Sequence, residues 1–491
     1  MSVFKDLNIR LMLRFFGTLL LVETIALLSA ALVAWYYNES DGIYFLYTAA
    51  ICLLVGGLAI TIGRNASPQI GRREGSLVVA LIWVVFSLFG LLPYWMSGSI
   101  PSFTDAFFET ISGLTTTGAS ILNNIESLSH SILYWRSLTH WMGGLGIIVL
   151  SLALLPVFGV SGSQLFAAES AGPTKDKIHP KISSTAKRLL LIYVALTFVE
   201  TVLLVFGGMG LFDAVCHSFG TIATGGFSTK QDSIGYWDSP YIHYVIAVFM
   251  LFSGVNFSLY YFLFKGKFNR VTENEELKFY LKTLFAFSII AAVSLIDFGS
   301  TITFAVVEKA WRDAFFNVTS ILTTTGFATA DYMNWPAFTW VLLLIAMITG
   351  ASAGSTSGAI KMVRIVVVLK YTYYQFKRLV HPNVFIPVRY SGRLVQEDVV
   401  TRILAFVILY MVVIALGIFV LALTGMPFME SIGGLITCLG GVGPGLGLVG
   451  PAGNFADVPE FSKWFLSFIM LLGRLELFTV LVLFTPAFWR K

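Results

Sequence analysis

Charge is scarce in this 491-residue sequence, in which only 12% of the residues are Asp, Glu, Lys or Arg. A soluble domain has about 25% charged residues. Apolar residues make up 56% of the chain, and the mean hydropathy is +0.80. Because no soluble fold of this size can bury so much apolar surface, the composition excludes soluble enzymes, nucleic-acid-binding proteins and disordered chains. It predicts a polytopic membrane protein.

Cysteine and histidine are also rare and scattered. Cys52, Cys216 and Cys438 lie in apolar surroundings without CxxC spacing, so we expect them to be small packing residues. The six histidines show neither HExxH nor another paired spacing. These absences argue against a redox pair and a metal site built from side chains. No nucleophile–base pair occurs in an apolar segment, which argues against a membrane-embedded enzyme.

Long apolar runs are what the sequence has in abundance. A helix needs about 20 apolar residues to cross a hydrocarbon core of ~30 Å. Ten segments meet this requirement and predict an all-α protein with ten full crossings: 11–36, 44–63, 75–97, 134–158, 188–207, 240–264, 279–299, 338–369, 402–424 and 461–487. The first is too long for the apolar region of a signal peptide, so we expect it to be a retained helix.

Basic residues orient this arrangement. All but six of the 32 Lys and Arg residues fall in segments that lie inside if the N-terminus is cytoplasmic. The exceptions are Arg136, Lys230, Lys309, Arg312, Lys463 and Arg474. Because cytoplasmic loops of membrane proteins are enriched in Lys and Arg, this distribution predicts a multi-pass protein with both termini in the cytoplasm.

Four outer connections contain related sequences, each with an apolar stretch too short to span, as in a re-entrant half-helix. The segments are 103–120, 211–228, 311–328 and 428–445. An acidic residue opens each segment and a glycine follows thirteen residues later: Asp105 and Gly118, Asp213 and Gly226, Asp313 and Gly326, Glu430 and Gly443. Close packing by small residues would explain the glycines but not the constant offset. The pattern predicts four parallel repeats around a pseudo-fourfold axis.

The repeats divide the chain into five parts. We expect a two-helix N-terminal extension followed by four helix–pore-loop–helix repeats. The extension is 1–68, and the repeats with their pore loops are 69–170 with 103–120, 171–272 with 211–228, 273–385 with 311–328, and 386–491 with 428–447.

The chemistry of such a loop follows from its geometry. A half-helix that enters from outside directs the negative end of its dipole at the membrane interior, which favours a cation there. The acidic residue near its start complements the positive end, and it can raise the local cation concentration at the mouth. Glycine permits positive φ, so carbonyls of the return strand can face the axis and replace the hydration shell of an ion. An alternating-access secondary transporter would instead show inverted repeats.

The four loops and the two leading helices resemble the Trk/Ktr/HKT superfamily of potassium transporters, and within it the bacterial TrkH/TrkG type. The resemblance implies potassium ions as cargo and no covalently bound cofactor, with a sodium-conducting or poorly selective member as the alternative. Transport is then channel-like or coupled to another ion. By motif match, the potassium-binding filter residues are Thr116, Thr117, Gly118, Thr224, Gly225, Gly226, Thr324, Thr325, Gly326, Gly441, Val442 and Gly443. Only the first and third loops have a Thr triplet, so we expect uneven coordination.

The eighth predicted crossing contains a run rich in Gly and Ser, which is a poor helix interior. We expect an unwound intramembrane loop that obstructs the pathway, and a simple kink with close packing is the alternative. The resemblance implies a gate at this run, which comprises Gly350, Ala351, Ser352, Ala353, Gly354, Ser355, Thr356, Ser357 and Gly358.

Arg474 lies in the middle of the tenth predicted crossing, where a charge is costly and faces the protein interior. We expect Arg474 to project beneath the filter, repel cations and assist the gate, and the resemblance points the same way. The alternative is a structural pairing with a carboxylate or with carbonyls elsewhere. Glu476 is a poor partner, because residues two apart do not share a helical face.

The basic inner segments 172–188, 265–282 and 370–402 are expected to contact anionic membrane lipids, and they offer a docking surface for a cytosolic protein. The chain has no GxGxxG motif between a strand and a helix, so nucleotide control has to come from a partner. The resemblance implies a nucleotide-binding cytosolic regulatory subunit, a homodimer and a location in the bacterial inner membrane. We expect no nucleic acid as a partner.

Overall fold

The computed structural model describes residues 7–67, 71–158, 182–299, 301–382 and 386–489. The helices are Ile9–Tyr36, Gly42–Ile62, Arg72–Gly90, Leu92–Ser97, Phe103–Leu114, His130–Phe158, Ile182–Phe206, Leu211–Ala223, Pro240–Ser253, Phe257–Phe264, Phe268–Thr272, Glu275–Leu295, Phe304–Leu322, Ala337–Thr349, Met362–Val380, Glu397–Leu423, Phe428–Gly440, Glu460–Leu475, Leu477–Leu481 and Pro486–Trp489. Short 3₁₀ helices occur at Ser233–Tyr236, Tyr332–Asn334, Gly447–Val449 and Val482–Phe484. The prediction of a helical protein is confirmed. Part of the basic segment 172–188 lies outside the described residues.

Six helices in the described part of the chain are long and apolar enough to cross a membrane. They are Ile9–Tyr36, Gly42–Ile62, Arg73–Ser97, Lys187–Phe206, Glu275–Leu295 and Glu397–Leu423. Two bent pairs raise this number to eight if each pair is one span. The remaining two predicted crossings correspond to His130–Phe158 and to a pair of helices separated by a loop, Ala337–Thr349 and Met362–Val380.

The predicted crossings at 240–264 and 461–487 are not continuous helices. The chain bends by 95° within the first and by 116° within the second. In the first, the Asn256 side chain caps the helix that follows the bend. In the second, Glu476 has a left-handed backbone with φ of 63°, which ends the helix. The sequence interpretation missed both bends because the apolar run continues through them. The interruption expected in the eighth crossing is confirmed, and residues 350–361 are not helical.

Four helices whose C-terminal parts are buried precede the four glycines and are here called half-helices 1 to 4: Phe103–Leu114, Leu211–Ala223, Phe304–Leu322 and Phe428–Gly440. Half-helices 1, 2 and 4 have 12 or 13 residues, too short to span at 1.5 Å per residue. Half-helix 3 has 19 residues and begins before the predicted segment, so Asp313 lies in its middle and not in its first turn.

The N-terminal helical pair packs against repeat 1 and is tied to it at the loop after Ile9–Tyr36. The carboxylate of Glu39 accepts hydrogen bonds from the backbone amides of His130 (2.7 Å) and Ser131 (2.9 Å). These amides lie in the first turn of His130–Phe158, where backbone N–H groups have no partner within the helix. Glu39 therefore caps a helix of repeat 1 from the extension.

A two-stranded antiparallel hairpin, Arg389–Tyr390 and Arg393–Leu394, lies between the helices Met362–Val380 and Glu397–Leu423. It packs on a small apolar cluster formed with the helices Met362–Val380 and Glu397–Leu423. Tyr390 and Val395 lie in this cluster, and Ala353 of the intramembrane loop packs against it. The hairpin is thus in packing contact with the interrupted crossing.

Candidate functional site

The chain after each half-helix has the same unusual backbone in all four repeats. The residue two positions before the glycine is left-handed, with φ of 54°, 53°, 57° and 69° at Thr116, Thr224, Thr324 and Gly441. The glycines follow with φ of 82°, 80°, 89° and 101° at Gly118, Gly226, Gly326 and Gly443. The residue between them does not have positive φ in any repeat. Such alternation turns successive carbonyls to the same side, and glycine avoids the strain of a Cβ at positive φ.

The four glycine turns meet in a closed ring. Each glycine faces a carbonyl oxygen of the next repeat, which belongs to the residue just before that repeat's own glycine. A Cβ added to the first glycine would lie within 3.0 Å of this oxygen. The glycine–oxygen neighbours are Gly118 and Gly225, Gly226 and Thr325, Gly326 and Val442, and Gly443 and Thr117. The series passes from repeat 1 to 2, 3, 4 and back to 1, as a fourfold arrangement requires.

One cavity lies on the ring and is lined by all four glycines, so the repeats face a common space. Its charged lining residues are Arg136 and Lys230, and the described residues around it include neither Asp nor Glu. No group of three His, Cys, Asp or Glu side chains that could hold a metal occurs in the part of the chain that the structure describes. The ring itself presents neutral carbonyl oxygens, which can replace the hydration shell of a monovalent cation.

Hydroxyl groups brace the turns. The hydroxyls of Thr115 and Thr117 lie 2.9 Å apart in repeat 1, and those of Thr323 and Thr325 lie 2.8 Å apart in repeat 3. Repeat 4 has no Thr triplet. There the Thr437 hydroxyl donates to the carbonyl oxygen of Pro444 (3.0 Å). The fourfold symmetry is therefore approximate at the level of side chains.

Three of the four repeated acidic residues accept hydrogen bonds from the chain that follows their own half-helix. The carboxylates of Asp213 and Asp313 accept from the hydroxyls sixteen residues later, Thr229 (2.7 Å) and Thr329 (3.5 Å). Glu430 accepts from a backbone amide of its return strand at 3.3 Å. In repeat 1 the corresponding carboxylate, Asp105, pairs with Lys463 at 2.6 Å. The sequence interpretation assigned these residues to the helix dipole and to cation attraction at the mouth. It missed these contacts, whose partners lie too far apart in sequence to be read from spacing.

A buried ion pair within repeat 1 also hydrogen-bonds to repeat 2. Arg136 Nε lies 2.6 Å from Glu109 Oε1, and both side chains are buried. A second nitrogen of the Arg136 guanidinium, Nη1, donates to the carbonyl oxygen of Ser228 (2.8 Å). Glu109 also accepts from the amide of Ile121 (2.9 Å). The sequence interpretation recorded Arg136 only as a basic residue outside the predicted cytoplasmic segments. That unusual position could have indicated a buried partner of opposite charge.

The interrupted crossing lies against the inner ends of three half-helices. The Thr356 hydroxyl donates to the carbonyl oxygen of Ile222 in half-helix 2 (3.1 Å). The Gly358 amide donates to Thr324 Oγ1 (2.7 Å), just after half-helix 3. Gly358 also packs on the carbonyl of Gly440, the last residue of half-helix 4. The loop therefore lies beneath the ring on the side opposite the half-helix N-termini.

Arg474 connects this loop to repeat 1. Its Nη1 donates to the carbonyl oxygen of Thr356 (2.8 Å), and its Nη2 donates to that of Gly143 (3.2 Å). The residue is only 8% exposed. Glu476, dismissed as a partner on spacing grounds, instead binds Arg364 at 2.7 Å. Arg474 thus pairs with carbonyls, as the structural alternative predicted, and one of these carbonyls belongs to the loop itself.

Known proteins resemble this chain over almost its whole length. The TrkH family model, described as a cation transport protein, matches residues 42–491. The chain is 40% identical to the Trk system potassium uptake protein TrkH of Escherichia coli K12, covering 99% of this chain and 100% of that one. It is 32% identical to TrkG of the same strain, covering 99% of each chain. The crystal structure of the potassium transporter TrkH from Vibrio parahaemolyticus superposes with a TM-score of 0.90 at 36% identity, covering 99% of this chain and 100% of that one. The chain therefore belongs to the TrkH family of cation transport proteins, and the expectation of a transporter and not an enzyme is confirmed.

Proposed function

We propose that this protein takes up potassium across the bacterial inner membrane through a filter of backbone carbonyls at the centre of its four repeats. The closed ring of glycines and neighbouring carbonyl oxygens supports the proposal, because all four glycines of the ring line one shared cavity. Relatives covering the full chain are named potassium uptake proteins. The ion-binding residues proposed are the twelve named from the sequence, which lie in the four turns.

The membrane potential suffices to drive such uptake. A potential of 100 mV, negative inside, is worth about 2.3 kcal/mol per elementary charge. At about 1.4 kcal/mol per tenfold ratio this corresponds to roughly 50-fold accumulation of potassium. A channel-like route down the electrochemical gradient is therefore the simplest form of the proposal, and coupling to a second ion would add to the accumulation.

In the same proposal, residues 350–358 and Arg474 form the gate. The loop contacts the inner ends of half-helices 2, 3 and 4, and Arg474 connects it to a carbonyl of repeat 1. The four repeats are thereby bridged beneath the ring. A buried cationic guanidinium at this place also repels a potassium ion that leaves the filter.

The wider assembly belongs to the proposal as well. Both termini are proposed to lie in the cytoplasm, and the distribution of basic residues supports this orientation. The division into an extension and four repeats follows the glycine spacing. A homodimer and a nucleotide-binding cytosolic subunit are proposed from the family resemblance, with the basic inner segments as the docking surface and as contacts for anionic lipid.

A poorly selective or sodium-conducting protein is the second candidate, and one observation favours it. At Gly443 an added Cβ would lie 2.8 Å from the Thr117 oxygen. At each of the other three glycines an added Cβ would lie closer than this to the facing carbonyl oxygen. The junction between repeats 4 and 1 is therefore the loosest of the four. A filter that yields at one junction discriminates less sharply between ions of different size.

Tracer flux separates the two candidates. Rubidium uptake is measured in liposomes containing the purified protein, with potassium or sodium as competitor, for the natural sequence and for Gly118→Ser. Uptake inhibited by potassium but weakly by sodium, with this difference lost in the variant, supports the filter. Equal inhibition by both ions supports the second candidate. If the natural protein takes up no rubidium, and a variant with residues 350–357 deleted takes up none either, both candidates are contradicted.

A further inference from the structure

A carboxylate beneath the membrane loop joins the two ends of that loop. Glu276 lies in the first turn of the helix Glu275–Leu295 and is only 2% exposed. Its Oε1 accepts hydrogen bonds from the amide of Ala353 (2.6 Å) and from the amide of Val363 (3.1 Å). One amide lies near the start of residues 350–361 and the other lies just after their end. A single oxygen atom thus holds both flanks of the loop.

The position of this carboxylate is fixed from the cytoplasmic side. The neighbouring Glu275 pairs with Lys370 at 2.6 Å, and the Lys370 ammonium also donates to the carbonyl oxygen of Arg389 in the hairpin (2.8 Å). The Glu275 amide donates to Ser391 Oγ (3.3 Å). The hairpin and the helix start are therefore tied together, so Glu276 cannot simply follow the loop if the loop moves.

We propose that Glu276 is a positioning residue that latches the intramembrane loop in its obstructing arrangement. The proposal rests on the proposed function of residues 350–358 as a gate. Hydrogen bonds from amides to a carboxylate are stronger than those between neutral groups. Departure of the loop would take the Ala353 donor away from a buried carboxylate, which opposes opening. The helix N-terminus stabilises the negative charge of the latch in place.

The latch and an ordinary structural role predict different fluxes per folded protein. A variant that merely loses packing yields less folded protein, but the flux of each folded molecule stays unchanged. Loss of the latch instead raises the fraction of open molecules. We expect Glu276→Ala to increase rubidium flux per folded protein at least tenfold, which corresponds to about 1.4 kcal/mol. The preference for rubidium over sodium should stay unchanged, since the ring of glycines is not touched.

The experiment uses the full-length protein in liposomes, with flux normalised to protein that elutes as a folded species. Glu276→Gln keeps an acceptor oxygen but loses the charge, so its flux should lie between those of the natural protein and Glu276→Ala. Glu276→Asp shortens the side chain and should also increase flux, which keeps the test decisive if the alanine variant does not fold. The exposed Glu273, three residues earlier, supplies the control Glu273→Ala, for which no change is expected.

The deletion of residues 350–357 distinguishes the two levels of failure. If the deletion conducts strongly while all Glu276 variants conduct like the natural protein or less, the latch is refuted and the gate stands. If the deletion does not conduct rubidium, the proposed function fails, and the latch fails with it. Increased flux in the Glu276 variants together with a changed ion preference also overturns the latch, because it would place the effect in the filter.

Discussion

The glycine ring makes its sharpest prediction at Gly226. An alanine there adds two separate effects, a Cβ at φ of 80° and an approach within 3.0 Å of the Thr325 carbonyl oxygen. Left-handed backbone costs a non-glycine residue about 1–2 kcal/mol. The atom that faces the added Cβ is a backbone oxygen, so no flexible side chain can move aside to make room. The second effect therefore displaces the Thr325 carbonyl from the ring. We expect the potassium-over-sodium preference to fall at least tenfold, which is about 1.4 kcal/mol of discrimination.

Two further glycines separate these effects. Gly98 also has a left-handed backbone, with φ of 76°, but an added Cβ meets no atom within 4 Å. Gly98→Ala should therefore lower stability by about 1 kcal/mol and leave ion preference unchanged. Gly443→Ala should reduce the preference less than Gly226→Ala, because its added Cβ would lie 2.8 Å from the facing oxygen, farther than at the other three junctions.

The assay is competition of potassium or sodium with rubidium uptake in liposomes, with a thermal unfolding curve for each variant. The expected order of lost preference is Gly226→Ala first, Gly443→Ala second and Gly98→Ala last, without measurable loss. Equal ion preference in Gly226→Ala and in the natural protein, with both folded, would refute the reasoning. It would mean that the ring carbonyls do not select the ion.

Other contacts give three more predictions. Arg474→Gln removes the guanidinium that donates to the loop, so rubidium flux should rise several-fold while the ion preference is kept. Glu109→Gln leaves its buried arginine partner without a counter-charge, which costs about 3–5 kcal/mol and should lower the melting temperature clearly. Partial burial alone raises the pKa of Glu39, but hydrogen bonds from the amides of Ser131 and His130 lower that pKa overall. The stabilisation by Glu39 should therefore be complete near pH 7 and be lost below about pH 4, measured as the melting-temperature difference to Glu39→Gln.

The repeat pattern and the interrupted crossing could be predicted from the sequence because each leaves a local signal. A glycine at a fixed offset from an acidic residue marks a turn that needs positive φ, and the turns at Gly118, Gly226, Gly326 and Gly443 have it. A run of Gly and Ser within an apolar segment marks an unwound stretch, and residues 350–361 are not helical.

The bends and the polar contacts could not be predicted in the same way. At Asn256 and Glu476 an apolar run continues on both sides, so hydropathy alone predicts one helix where the structure has two. The pairs of Arg136 with Glu109 and of Arg364 with Glu476 are set by packing between helices. The hydrogen bonds that Glu276 accepts come from residues far from it in the sequence. Such contacts depend on the assembled repeats and leave no spacing rule in a single chain.

The most direct test of the carbonyl filter is to locate the ion. Crystals of the protein in rubidium or thallium salts, with anomalous diffraction, show where a potassium-like cation binds. We expect anomalous density on the axis of the ring, among the carbonyl oxygens of Thr117, Gly225, Thr325 and Val442, and we expect this density to persist when sodium is added in excess. Density confined to carboxylate side chains, or density at the ring that excess sodium removes, would contradict a potassium filter made of these carbonyls.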